Sequence, residues 1–68
     1  DEEYLHQRQV VADLARWFAA DPEGRLDADL RHDLDQAGDD AARLRVVVDQ
    51  VASLTDVRAL ALHLAHCA

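Results

Sequence analysis

Apolar residues recur along this chain at spacings of three and four, and no stretch alternates as a strand would, so the pattern predicts helices throughout. From about Glu3 to Ala20, Tyr4, Val11, Leu14 and Phe18 fall on one helical face with Val10 and Trp17 beside it. Acids at the start suit the positive end of the helix dipole. Asp21-Pro22-Glu23-Gly24 ends this helix, because Pro22 moves Asp21 out of helical geometry and Gly24 frees the backbone. A weaker segment follows from Leu26 to Ala37, where Leu26, Leu30 and Leu34 repeat every four residues. It reads as a short surface helix stopped at Gly38.

Asp39 or Asp40 then caps a third helix, about Ala41 to Ala52, since a carboxylate accepts hydrogen bonds from the free amides of a first turn. Here Leu44, Val47, Val48 and Val51 form a stripe that Val46 and Ala52 extend round the cylinder, so this helix needs cover on most sides. Thr55 or Asp56 caps a fourth helix running to about Cys67, with Val57, Leu60, Ala61 and Leu64 marking its expected buried face. The fold expected is all-α, a small bundle of about four short helices.

Size and charge narrow the function. Sixty-eight residues make a single domain with a marginal core. The chain opens on Asp1 rather than Met, which suggests a piece of a longer protein. With Cys67 as its one cysteine it has no internal disulfide, and no apolar run approaches the roughly 20 residues that span a bilayer. A cytoplasmic location without a membrane is expected. The net charge of -7 speaks against direct nucleic-acid binding. The charge is uneven: residues 1–40 carry twelve acids and four arginines, a net of -8, while residues 41–68 carry two acids and three arginines, a net of +1. The second half is the part suited to an anionic ligand or a buried interface.

Little in the chain resembles a complete active site. His32-Asp33 is an isolated pair without the further converging ligands a metal needs. His63, His66 and Cys67 share a helix face, but they offer three ligands where a closed zinc site needs four, and they suit the dipole of a helix C-terminus instead. Cys67 has no cationic neighbour to make it a nucleophile, and two glycines fourteen residues apart build no phosphate loop. No catalytic residue and no metal ligand is expected in these residues. Arg43 and Arg45, near the start of the third helix, are the candidates for contact with a substrate phosphate or an interface. Arg45 also stands four residues before Asp49 and could pair with it on the helix surface. Arg58 and Asp56 present a similar choice at the start of the fourth helix.

The fifteen residues from Arg45 to Ala59 read Arg-Val-Val-Val-Asp-Gln-Val-Ala-Ser-Leu-Thr-Asp-Val-Arg-Ala. This run resembles the C-terminal signature of deoxyguanosine triphosphate triphosphohydrolases and their relatives. In that family an Arg four residues before an Asp leads into Asp-Tyr-Ile-Ala-Gly-Met-Thr-Asp and a final helix. Arg45, Asp49, Ala52, Thr55 and Asp56 match, with Val51 and Leu54 as conservative replacements. Gln50 stands in place of the usual Tyr and Ser53 in place of the usual Gly. The upstream region loosely resembles the family's helical phosphohydrolase-associated segment.

The resemblance implies that residues 1–68 are a single C-terminal accessory domain of a larger HD-superfamily hydrolase, whose catalytic HD domain is absent from this chain. The parent would use a divalent metal to activate water against the α-phosphate of a deoxynucleoside triphosphate, releasing nucleoside and triphosphate. This segment would bring no cofactor and have no activity alone. It would contribute packing against the parent catalytic domain, homo-oligomer contacts, or an arginine presented to the phosphates, in the same or a neighbouring subunit. Asp49, Thr55 and Asp56 would be structural. The alternative is a non-catalytic helical self-association module, motivated by the apolar third helix and by Trp17-Phe18 as an interface anchor.

Overall fold

The computed structural model describes residues 2–68, and within them every regular element is a helix. In chain order these are α1 (Glu2–Ala20), α2 (Pro22–Arg25), α3 (Ala28–Gln36), α4 (Asp40–Ala52) and α5 (Asp56–His66). The small all-α bundle is as the periodicity predicts. The added element is α2, a single turn formed by the very residues expected only to break the chain. Asp21 explains it: its Oδ1 accepts the Gly24 amide at 3.2 Å while Pro22 occupies the first helical position, where a missing N–H costs nothing.

The other boundaries follow from their caps. Asp39, rather than Asp40, caps α4 by accepting the Ala42 amide at 2.8 Å. Thr55, rather than Asp56, caps α5 by accepting the Arg58 amide at 3.2 Å. At the end of α3 the chain turns out through Ala37 in extended geometry, and no glycine among the described residues has a positive φ. Gly38 therefore does not stop that helix by a left-handed turn, as its position suggests. It follows a helix already ended.

α1 is the spine, packing on both α4 and α5, while α3 leans on α4. The core is Val10, Leu14 and Phe18 of α1, Leu26 and Leu34 around α3, and Val46 and Val47 of α4. Three helix faces are rotated from the expected ones. On α1 the buried row is Val10-Leu14-Phe18, and Tyr4 and Val11 are exposed. On α4, Val46, Val47 and Gln50 turn inward while Leu44 and Val48 face out. On α5 the expected core face of Val57, Leu60, Ala61 and Leu64 is exposed, and Ala59, Leu62 and Cys67 pack against the core instead.

The rotation of α5 has a specific cause. His63 Nε2 meets Asp13 Oδ2 at 2.8 Å, His66 stacks on Trp17 with centroids 4.5 Å apart, and the Cys67 thiol donates to the Asp13 carbonyl at 3.9 Å. Two polar contacts and one ring stack all lie along one side of α5. Satisfying them turns its aliphatic stripe outward, since a partly buried histidine and carboxylate need partners.

Candidate functional site

The segment Arg45–Ala59 spans most of α4, the corner after it and the start of α5. Its centre is Gln50, which has 0% exposure and is the one buried polar residue among the described residues. Its Oε1 accepts the Asp27 amide at 2.7 Å. Its Nε2 donates to Asp27 Oδ2 at 3.2 Å and to Ser53 Oγ at 3.4 Å. Ser53 Oγ in turn donates to the Gln50 carbonyl at 2.7 Å. The other Asp27 oxygen accepts from Arg58 Nη2 at 3.2 Å. Four residues thus tie the start of α3, the end of α4 and the first turn of α5 into one joint.

This joint explains two local oddities. Asp27 sits at the N-cap of α3 but gives that helix no side-chain cap, because Gln50 and Arg58 have drawn its carboxylate away. Those partners, Gln50 first and Arg58 second, hold the Asp27 carboxyl below its ordinary pKa. Gln50 and Ser53 are the two positions that depart from the resembled signature, and here they bond to each other. Sequence reading missed Gln50 as a core residue; its one signal was a polar residue in an otherwise apolar helical stripe.

A second polar cluster joins α1 to α5. Asp13 accepts from Gln9 Nε2 at 2.7 Å and from Arg16 Nη2 at 2.6 Å, besides meeting His63. These contacts, His63 first, lower its pKa. Beside them Trp17 lies between the Arg25 guanidinium, 4.5 Å from its ring centre, and the His66 ring. Phe18 is buried beneath it with the rings edge to face at 4.9 Å. Phe18 is therefore part of the core, while Trp17, half-buried, forms the wall above it.

Arg43 and Arg45 are both exposed on α4, and neither has an ion pair among the described residues. Arg45 and Asp49 thus do not form the surface pair their spacing allows. The other arginines of the fold are mostly engaged: Arg16 with Asp13, Arg58 with Asp27, Arg25 over Trp17 and Arg8 over Tyr4. Asp49 is exposed, and its carbonyl accepts the Ser53 amide that closes α4. Thr55 is a cap, and Asp56 is exposed in the first turn of α5, where a carboxylate complements the dipole. His32 and Asp33 are exposed on α3.

Among the described residues no three His, Cys, Asp or Glu converge to hold a metal ion. His63 and Cys67 both turn to Asp13, one to its carboxylate and the other to its carbonyl, and His66 stacks on Trp17. No helix is long and apolar enough to cross a membrane among the described residues.

Comparison with known proteins agrees with the signature. The phosphohydrolase-associated domain family matches residues 1–65. A deoxyguanosinetriphosphate triphosphohydrolase-like protein of Streptomyces coelicolor is 54% identical over 84% of this chain and 13% of its own length. One from Bifidobacterium longum is 42% identical over 98% of this chain and 15% of its own length. Another, from Vibrio vulnificus, is 38% identical over 90% of this chain and 14% of its own. The chain therefore spans about one-seventh of the curated relatives it matches. No solved structure matches it.

Proposed function

The chain belongs to the phosphohydrolase-associated domain family, and from that premise we propose that it is the C-terminal accessory domain of a deoxynucleoside triphosphate triphosphohydrolase. The parent would convert dGTP and water to deoxyguanosine and triphosphate at a catalytic domain outside these residues. Residues 1–68 would support it by packing, by oligomer contacts and by offering Arg43 and Arg45 to the substrate phosphates. The observation that carries the arginine role is their availability: both guanidiniums are exposed and unpaired among the described residues, in the half of the chain that is not acidic. A planar guanidinium free of a carboxylate partner is suited to bidentate contact with phosphate. The joint around Gln50 would fix the end of α4 and so the direction in which this helix offers them.

The test is triphosphate release from dGTP and the other deoxynucleoside triphosphates by the full-length parent, with and without residues 1–68, followed by Arg45→Ala and Arg43→Ala. Loss of one charged hydrogen bond to phosphate corresponds to about 1.5–3 kcal/mol, so an arginine contacting substrate should lower kcat/KM by roughly tenfold to hundredfold. Lost activity with an unchanged oligomer marks phosphate contact, and lost activity with a smaller oligomer marks a subunit contact. Unchanged turnover and assembly would remove any functional role for that arginine. No triphosphate release from the intact parent would favour the self-association module, which the exposed Leu44 and Val48 of α4 also support.

A further inference from the structure

Seven of the eleven residues of α5 are apolar, yet the helix has no fully buried residue. Val57 is 80% exposed, Leu64 71% and Leu60 45%. These three fall at i, i+3 and i+7, one continuous stripe, and Leu60 lines an open groove with Val10 and Val11 of α1. Contiguous aliphatic surface of this kind marks an interface. The groove is not neutral at its edge, because Glu3 and Asp56 line it at the end where α1 and α5 both begin.

The acidic edge selects the occupant. A second copy docking here would bring a further net charge of -7 to a groove whose edge is already acidic. The relatives, by contrast, carry about six-sevenths of their length outside the matched region. We propose that the α1–α5 groove and the outward stripe of α5 seat an amphipathic helix from the part of the parent outside residues 1–68. Its apolar side covers Val11, Leu60 and Leu64, and basic residues flanking that side lie opposite Asp56. This rests on the accessory-domain reading and adds to it the face and the chemistry of the contact. It also gives the rotation of α5 a consequence: the ties of His63, His66 and Cys67 to α1 leave the aliphatic stripe free for the parent.

The experiment is site-resolved thiol labelling of the full-length parent carrying L60C or, separately, L64C. Each native rate is compared with the rate of the same variant in urea. Seating predicts labelling slowed by about a hundredfold or more at both positions, unchanged on dilution of the protein. Asp56→Arg should speed labelling at position 60, whereas Asp49→Arg, outside the groove, should not. Native rates close to those in urea would overturn the proposal. Protection lost on dilution would overturn it as well, since the cover would then be another copy of the protein. Nucleotide hydrolysis is not read here, so a parent that hydrolyses no triphosphate can still show the contact, and an active one can lack it.

Discussion

Gln50 and Asp27 hold each other by two hydrogen bonds across 23 residues of chain, amide oxygen to backbone N–H at 2.7 Å and amide nitrogen to carboxylate at 3.2 Å. The first satisfies a backbone donor beside the start of α3. The second orients the carboxylate that Arg58 then meets. Truncating Gln50 leaves the Asp27 amide without its acceptor, takes one of two partners from its carboxylate and opens a void where exposure is now zero. Gln50→Ala should therefore destabilise the chain by about 2–4 kcal/mol, a large share of what so small a fold possesses. Urea unfolding of Gln50→Ala, Asp27→Ala and the double variant checks the pairing. The two effects should fall short of additivity by about 0.5–3 kcal/mol, and simple addition would contradict the joint.

Acid should loosen both polar clusters. Asp13 and Asp27 each have a folded pKa below the unfolded value of about 3.9, through His63 and Gln50 respectively. A carboxylate of this kind binds fewer protons when folded. Its contribution is complete well above the unfolded pKa and is lost as pH falls through the folded one. The urea midpoint should hold from about pH 6 to 5 as far as these groups decide it, then drop towards pH 3. Asp13→Asn and Asp27→Asn should each flatten part of that drop. Equal midpoints at pH 6 and pH 3 would show that neither ionised carboxylate is favoured in the fold.

What was legible in the sequence follows from how local each cause is. Helices, caps and breaks depend on residues within one turn, so Thr55 and Asp39 could be placed to within a position. The signature from Arg45 to Ala59 was legible because it is a run of neighbours. The inward face of α5 was not, because the helix is aliphatic on two sides and the choice is made by His63 finding Asp13, 50 residues away. In the sequence Gln50 stands out only as a departure from a family pattern, because the partner that makes its burial tolerable, Asp27, lies 23 residues away at the cap of α3. The availability of Arg45 was legible only as a possibility, since its spacing to Asp49 favoured a pair that the fold does not form.

Thr55 should matter through its hydroxyl alone. It accepts the Arg58 amide, one of the unpaired donors at the start of α5, and its side chain is exposed. Thr55→Ala should destabilise the fold by about 1 kcal/mol, and Thr55→Ser by much less. Thermal unfolding of the two variants distinguishes a cap from a residue retained for contact with another part of a parent. Equal losses in both would point away from the cap.

The two glycines should respond to alanine in opposite directions. Replacing glycine generally stabilises by about 0.4–1 kcal/mol when the site tolerates a Cβ, because the unfolded chain loses freedom. Gly38 meets that condition, with no positive φ and no neighbour within 4 Å of an added Cβ. Gly24 does not, since a Cβ there would collide with the Asp21 carboxylate that caps α2. Either the carboxylate swings away and the cap is lost, at about 1 kcal/mol, or the turn distorts at similar cost. The entropic gain at Gly24 is thus cancelled or exceeded, while at Gly38 it stands alone. Urea midpoints should rise for Gly38→Ala and stay level or fall for Gly24→Ala. Asp21→Ala combined with Gly24→Ala should cost little more than Asp21→Ala alone, because the collision disappears with the cap. A clear rise for Gly24→Ala in the presence of Asp21 would show that the one-turn helix is not held by that carboxylate.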